Sequence, residues 1–220
     1  MSTAQARATR RIKLDRRSNG MLMTPEEFDA VADWDDRFVY ELVHGVVIVF
    51  PPPGEAERDP NGELDFLFRH YRLTHPQGSI LDKTQPERYL PVPNGRRRAD
   101  RVVWTGLGRV PELGTDIPSV LIEFVSKRRR DRRRDYEEKR REFLALGVRE
   151  YWIIDRFART LNVFRAAPGE PSEVVVKAEE TYRTPVLPGF ELLLARLLKL
   201  ADDWARPSAP KKTARRKQST

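Results

Sequence analysis

Apolar and polar positions divide the first half of the chain into strand-like and helix-like segments. Residues 40–50 are rich in β-forming residues and are interrupted by a His-Gly pair at 44–45, which predicts a tight hairpin. Apolar side chains in residues 62–74 recur at helical spacing and therefore predict a helix. Residues 79–92 predict one or two irregular strands that end in an Asn-Gly turn at 94–95.

The second half of the chain carries the strongest pattern. Residues 119–125 form a strongly apolar strand-length run, and residues 131–146 follow as the best helix in the chain, ending at Gly147 as a natural C-cap. Residues 150–155 predict the next strand. A strand, a helix and a strand in this order favour a right-handed parallel crossover.

Shorter signals complete the pattern. A helix start is indicated at 24–28, where Thr precedes Pro and two acids. Residues 99–104 and 160–165 predict further strands, and residues 190–200 predict a closing segment that is partly helical. Hairpins combined with a parallel crossover predict an α/β fold in which a mixed β-sheet is flanked by helices.

Charge is distributed unevenly along the 220 residues. Residues 1–20 hold six basic residues and one acidic residue, giving +5, and residues 205–220 hold six basic residues, giving +6. The total of +8 then leaves −3 for residues 21–204, which we predict to be one domain between two disordered tails. Basic tails of this kind either attract nucleic acid or act as solubilising ends.

Composition also excludes several classes of site. The chain has no cysteine, so disulfides and thiolate metal sites are excluded, and His44, His70 and His75 lack metal-ligand spacing. A metal ion would therefore be a hard cation such as Mg²⁺ or Mn²⁺ held by carboxylates. The absence of a long apolar run predicts a cytoplasmic protein with no membrane partner.

Two acids stand in strands that otherwise favour burial. Asp100 shares a strand face with apolar residues of 99–104, and Glu123 shares one with apolar residues of 119–125. Two carboxylates on neighbouring strands repel each other unless a cation lies between them. Lys139 follows Tyr136 by three residues, which places it along the buried face of the predicted helix.

Each of these residues also has a purely structural interpretation. A strand acid can pair with an arginine, and a helical lysine can extend to solvent. The basic run at 127–134 (KRRRDRRR) and the arginines around Asp100 favour contacts with a phosphate backbone, but the run is also typical of a solvated loop, and one arginine can instead pair with a site acid. The residues predicted to bind nucleic acid are Arg98, Arg101, Lys127, Arg128, Arg129 and Arg130.

Other conspicuous residues favour structural roles. Trp104, Tyr151 and Trp152 lie in strand patterns, so core packing is favoured over stacking on bases. Glu150 and Asp155 are interpreted as structural acids. The leucine-rich segment 191–200 either forms the face of a homodimer or packs against its own sheet.

The order of the motifs resembles the Uma-two family of bacterial restriction endonucleases within the PD-(D/E)XK nuclease superfamily. The resemblance covers about residues 23–195. Its pieces are MTPEEF (23–28), YELVHG (40–45), PPP (51–53), RRADRVVW (97–104), VLIEFVS (120–126), RRDYEEKRREFLALGVREYWIIDR (133–156) and LPGFEL (187–192).

The resemblance implies a restriction-endonuclease-like core and a metal-dependent endonuclease acting on DNA. It maps the metal-binding acids to Asp100 and Glu123 and a further catalytic acid to Glu41. Val125 stands in the usual E-x-K position, so the catalytic lysine maps to Lys139 on the following helix.

The chain departs from the family pattern at several positions, including Ala99, which replaces the proline before the aspartate. Two alternatives therefore stay open. One is a nucleic-acid-binding protein of the same fold without cleavage, and the other is a structural or regulatory interaction protein.

Overall fold

The structure is a computed structural model that describes residues 12–126, 132–166 and 173–205. A small parallel pair, β1 (Lys13–Leu14) and β2 (Asp33–Trp34), accompanies the amino-terminal part. The central sheet contains β3 (Val39–Val43), β4 (Val46–Phe50), β5 (Leu81–Val92), β6 (Gly95–Thr105), β7 (Val120–Phe124), β8 (Glu150–Asp155), β9 (Thr160–Arg165) and β10 (Glu173–Lys177). A second pair consists of β11 (Thr181–Arg183) and β12 (Glu191–Leu193).

Helices cover both faces of the sheet. In the described residues, three helices are α1 (Pro25–Asp29), α2 (Glu55–Thr74) and α4 (Leu194–Asp203). A further helix, α3, lies between α2 and α4 in the chain and has two parts. Helix α3 is π-helical over Arg134–Lys139 and α-helical over Arg140–Leu146. Short 3₁₀ segments occupy Arg16–Ser18 and Gly78–Ile80.

The sheet has the order β10-β9-β8-β7-β6-β3-β4, and β5 pairs with β6. Only β7 and β8 run parallel within it, and helix α3 connects them, as the strand-helix-strand pattern predicted. The predicted hairpin is confirmed as β3–β4, whose turn residues His44 and Gly45 both have positive φ. The predicted mixed sheet flanked by helices is therefore confirmed.

Helices α2 and α4 pack on one face of the sheet, and helix α3 packs on the other. On the first face, Leu64 and Phe68 of α2 and Leu197 of α4 contact sheet residues such as Trp152. On the second face, Phe143 of α3 packs against the β7 and β8 side chains. Full burial of one such side chain stabilises the fold by roughly 1.5–3 kcal/mol.

The structural interpretation of the three aromatic residues is confirmed, and the leucine-rich segment packs on its own fold, which was one of its two alternatives. Trp104, Tyr151 and Trp152 are buried in the core and cannot stack on bases. The leucines of α4 are also buried and pack with α2, so segment 191–200 belongs to its own fold. No helix in the described parts of the chain is long and apolar enough to cross a bilayer.

Two boundaries differ from the sequence predictions. Within the segment 1–20 that was predicted as a tail, Leu14 is fully buried and the Gly20 amide donates to the Val47 carbonyl, so these two residues contact the fold. Helix α2 begins at Glu55 rather than near residue 62. Its first turn is polar and shows no apolar period, and it is fixed instead by Glu57, which accepts a hydrogen bond of 2.7 Å from the Gly54 amide.

Candidate active site

The candidate site lies at a gap in the strand pairing along one edge of β6. Strand β5 pairs with one edge of β6 along nearly its whole length. On the other edge, β6 pairs with β3 at Arg96 and with β7 over residues 101–103. Residues 97–100 lie between these two pairings, so β3 and β7 diverge there and leave an opening beside Asp100.

Side chains replace the missing backbone ladder at this gap. The Asp100 Oδ2 atom accepts a hydrogen bond of 2.8 Å from the Phe124 amide. The Glu41 Oε1 atom accepts one of 3.2 Å from the Arg98 amide, and the Lys139 amine donates to the Arg98 carbonyl. The two acids and the lysine thus pair with backbone groups that no neighbouring strand reaches, and these hydrogen bonds fix the positions of the three side chains.

The pairing register explains why Asp100 and Glu123 come together. Arg101 of β6 pairs with Ile122 of β7, and this is the last pair before the strands separate. Continuing the register by one residue places Asp100 opposite Glu123. The two acids therefore stand on the two sides of the opening, at its closed end.

Lys139 joins the acids of both strands. Its Nζ atom lies 2.9 Å from the Glu123 Oε1 atom and 3.0 Å from the Glu41 Oε1 atom. All three side chains are buried. Lys139 reaches them because helix α3 packs on this face of the sheet, as its spacing from Tyr136 and Phe143 predicted.

These side chains line a cavity of about 230 Å³. Its floor carries charges of both signs, and one wall is apolar and formed by residues 50–53. The charged lining residues are Glu41, Glu57, Arg98, Asp100, Glu123, Arg134 and Lys139. A cavity with this mixture of fixed charges suits a ligand that is itself charged.

The environment moves the pKa values of the buried acids in opposite directions. Burial raises the pKa of Glu123 well above its usual value, Lys139 opposes this rise, and the nearby Asp100 adds to it. Burial also tends to raise the pKa of Glu41, but the positive charges of Lys139, Arg134 and Arg97 outweigh burial and lower it to about 2. The positive charges around Glu41 therefore outweigh its burial, whereas Lys139 only partly offsets the burial of Glu123.

The pKa of Lys139 is raised. Burial alone would lower it, but the carboxylates of Glu123 and Glu41 have the larger combined effect. The amine is therefore positively charged at neutral pH, and its neighbours are the Arg98 carbonyl and the Glu123 and Glu41 carboxylates.

The carboxylates fit a hard divalent cation. Among the described residues, Asp100 Oδ1 and Glu123 Oε2 accept no hydrogen bond, and both residues line the cavity. Mg²⁺ is commonly held by one or two carboxylates, with water and phosphate oxygens completing its coordination. Within those parts of the chain, no group of three or more His, Asp or Glu residues is arranged to hold a metal ion, so Asp100 and Glu123 would act as a pair.

A buried arginine supports the site from behind. Arg97 is 1% exposed and contacts Glu41 at 3.2 Å, Glu138 at 3.2 Å and Glu142 at 2.6 Å. It therefore ties β6, β3 and helix α3 together, and it holds the Glu41 carboxylate beside Lys139. This contact matches the interpretation that one arginine near Asp100 pairs with a site acid.

The predicted phosphate contacts have different outcomes. Arg98 lines the cavity, where its guanidinium lies 2.7 Å from the Glu87 carboxylate. The prediction for Arg101 is wrong, because its side chain turns to the opposite face of the sheet and donates to Asn61, Asp65 and Thr84. Lys127, Arg128, Arg129 and Arg130 lie outside the described residues.

Sequence reasoning missed two parts of the site. The first is the apolar wall at 50–53, although the proline run that forms it was visible in the sequence. The second is the place of Arg134 in the cavity lining, because the sequence put this residue in the basic run at 127–134 without separating it from its neighbours. Asp155 is a structural acid, as interpreted, because its buried carboxylate accepts hydrogen bonds from Tyr136 and from the amides of Phe157 and Ala158.

Comparison with solved structures bears on the fold alone. A crystal structure titled as a "putative nuclease belonging to DUF820", from Anabaena variabilis, shares the fold with a TM-score of 0.62 and 17% identity, covering 81% of this chain and 99% of that chain. The type IIG restriction endonuclease BpuSI matches with a TM-score of 0.36 and 12% identity, covering 68% of this chain and 17% of that chain, a similarity too low to support an argument. No curated protein matches the chain.

A family model identifies the chain more directly. The model described as "Uma2: Putative restriction endonuclease" matches residues 25–196. This range includes Glu41, Asp100, Glu123 and Lys139, so every acid and the lysine of the candidate site lie within the match. The chain therefore belongs to the Uma2 family, whose description supports a nuclease.

Proposed function

We propose that this protein is a metal-dependent endonuclease that hydrolyses phosphodiester bonds in DNA with Mg²⁺ or Mn²⁺. One observation carries the proposal. The Lys139 amine lies 2.9 Å from the Glu123 carboxylate in a cavity that Asp100 and Glu41 also line. A charged lysine beside two acids that can hold a cation is the arrangement that phosphoryl chemistry requires.

Each side chain has a distinct role in this proposal. Asp100 and Glu123 would hold the metal ion. When bound, such an ion lowers the pKa of a water molecule and offsets charge on the scissile phosphate. Lys139 donates hydrogen bonds to the oxygen on which negative charge develops. Glu41 keeps the amine charged and, through Arg97, holds it in position.

Basic side chains would position the nucleic acid. Arg98 lines the cavity, and the basic residues at 127–130 precede helix α3 in the chain. Contacts with phosphates orient the substrate without reading its sequence. Their contribution should decrease as salt concentration rises, because binding releases counterions.

The test is cleavage of supercoiled plasmid with Mg²⁺ or Mn²⁺ by the wild type and two site variants. We expect nicking by the wild type, none by Asp100→Ala, and a loss of about 100-fold in Lys139→Met, the scale for a lost transition-state donor. Lys199→Met is the matched control, because Lys199 is an exposed helical lysine on α4. Absence of nicking with either ion, or equal nicking by Asp100→Ala, would contradict the proposal.

A non-catalytic nucleic-acid-binding protein of the same fold is the second candidate. Lys139 already compensates the charges of Glu41 and Glu123, and this ion pairing favours a purely structural cluster. The same experiment separates the two candidates when a gel shift accompanies it. Duplex binding that is unchanged in Asp100→Ala and is never followed by nicking supports the second candidate.

A further inference from the structure

Arg134 lies in the cavity together with the site acids and Lys139, and the proposed mechanism leaves it without a role. Its side chain is 18% exposed and forms part of the cavity lining. The purely structural arginines of this protein are more deeply enclosed, since Arg97 is 1% exposed and Arg101 is 3% exposed. Arg134 is thus held by the protein and remains accessible from the cavity.

The guanidinium of Arg134 is preorganised. It stacks over the Phe50 ring at 4.6 Å from the ring centroid, and its Nε atom donates to the Asp135 carboxylate at 2.8 Å. A planar guanidinium that is held by an aromatic ring and a carboxylate loses little further entropy when it binds a ligand. Phe50 belongs to the apolar wall at 50–53, so the wall and the cation form one unit.

A π-helical segment carries both Arg134 and Lys139, whose side chains line the same cavity. Both residues belong to the π-helical segment Arg134–Lys139, and the Tyr151 hydroxyl donates to the Asp135 carbonyl within it. Single π-helical turns are frequent at functional sites, because they change the direction of side chains relative to an α-helix. The two cations are five residues apart, which is the spacing of the i→i+5 hydrogen bond that defines a π-helix.

The neighbouring arginines show that this placement is specific to Arg134. Arg132 pairs at 2.6 Å with the buried Asp155, and Arg133 pairs at 3.3 Å with the exposed Glu137. Of these three consecutive arginines, Arg134 is the one that lines the cavity. The pKa of Arg134 is raised because Asp135 and Glu41 outweigh the effect of burial, so the guanidinium stays charged.

We propose that Arg134 binds the phosphodiester of the substrate inside the cavity, with its planar fork directed at the non-bridging oxygens. The inference rests on the proposed function and adds a second cation to Lys139. A guanidinium matches two oxygens of one phosphate, which an amine cannot do. Phe50 and Asp135 act as positioning residues for this contact.

The experiment compares Arg134→Met and Arg134→Lys with Arg133→Met, whose arginine is adjacent but exposed. Steady-state cleavage gives kcat and KM separately. We expect kcat/KM to fall about 100-fold in Arg134→Met, with KM raised and kcat lowered, because the contact already holds the bound phosphate and strengthens as charge develops. Arg134→Lys should lose about tenfold, because an amine keeps the charge but lacks the fork. The control should stay within about twofold.

Folding is verified for each variant by circular dichroism, since Arg134→Met leaves Asp135 without this partner. If Arg134→Met does not fold, the milder Arg134→Lys decides. A folded Arg134→Lys with wild-type kcat/KM overturns the proposal, as does an equal loss in Arg133→Met.

A binding measurement separates failure of this inference from failure of the proposed function. A fluorescent 20-base-pair DNA duplex is titrated in EDTA over a range of salt concentrations. If the wild type does not cleave, the proposed function fails, and binding alone tests Arg134. Weaker DNA binding by Arg134→Met or Arg134→Lys than by Arg133→Met supports the phosphate contact. For Arg134→Met, the slope of log Kd against log salt concentration should also decrease in magnitude by about one. Equal binding by the three variants overturns it.

Discussion

Two buried glutamates on adjacent parallel strands have opposite surroundings. Glu150 of β8 is 1% exposed and accepts hydrogen bonds from four side chains. These donors are Trp152 at 2.8 Å, Arg165 at 2.9 Å, Tyr182 at 3.0 Å and Thr184 at 2.8 Å. Glu123 of β7 is 2% exposed, but among the described residues only Lys139 donates to it, and it lines a cavity.

The difference shows that burial by itself does not identify a functional acid. Both carboxylates are enclosed, yet the oxygens of Glu150 are saturated by donors and therefore serve the fold. Glu123 retains acceptor capacity beside a second acid, which is unfavourable for a structural residue and suits the binding of a cation. The predictions below test this contrast in order of decreasing effect.

The largest expected effect is the loss of cleavage in Glu123→Gln and Asp100→Asn. Each substitution keeps the shape of the side chain but removes a charged ligand from the cavity. We expect nicking to fall on the order of 10³-fold or more, while urea denaturation remains close to that of the wild type. If both variants cleave within tenfold of the wild-type rate, neither carboxylate is needed for cleavage, and Glu123 is not a catalytic residue.

Glu150→Gln should have the opposite profile. A glutamine presents an NH₂ group where the carboxylate accepts hydrogen bonds, and it no longer compensates the largely buried Arg165. We expect the free energy of unfolding to fall by about 3–4 kcal/mol, measured by urea denaturation. The folded fraction should cleave at the wild-type rate, and a selective loss of kcat without destabilisation would refute the structural role.

Glu41 provides a pH-dependent test. Its pKa is lowered to about 2 in the folded protein, from an ordinary value of 4.5. The ionised form therefore stabilises the fold above pH 4.5, and this contribution is lost as the pH falls through 2. Linkage gives a contribution of roughly 3 kcal/mol. The stability difference between the wild type and Glu41→Gln should shrink as the pH is lowered from 6 to 2, and a constant difference would contradict this assignment.

The smallest expected effect is stabilisation by added metal. At a Mg²⁺ concentration ten times Kd, the wild type should gain about 1.4 kcal/mol in unfolding free energy. Folded Glu150→Gln should gain the same amount, because its substitution lies outside the cavity, whereas Glu123→Gln should gain much less. Thermal unfolding with and without Mg²⁺ measures the three values. Equal gains in all three would mean that the ion binds elsewhere.

Much of the fold was predictable because local burial patterns repeat at fixed periods. The strand β7, the helix α3 and the strand β8 emerged from such patterns, and the same spacing directed Lys139 toward the sheet. The resemblance to a nuclease family supplied Glu41, Asp100 and Glu123 as members of one site. The polar first turn of α2 carried no period, so its true start was missed.

Alternation along β6 did not predict the partners of its arginines. Arg97 contacts helix α3 on one face, whereas Arg101 contacts helix α2 on the other, although both are odd-numbered positions of the same strand. The change lies between Arg97 and Arg101, near Asp100. At this level Glu87 of the paired strand β5 has a positive φ, and the side chains of β6 change from one face of the sheet to the other. No local signal in the run of arginines reveals this change.

The pattern of residues indicated most of the strands and helices and marked Asp100, Glu123 and Lys139 as candidates for chemistry, whereas the family resemblance added Glu41. This was possible because burial at periods of 2 and 3.6 residues is encoded locally. Three features became visible only in the folded chain: β3 and β7 diverge along β6, Arg134 lines the resulting cavity, and four side chains donate to Glu150. These features depend on contacts between segments far apart in the chain, and no local pattern specifies which donor meets which acceptor.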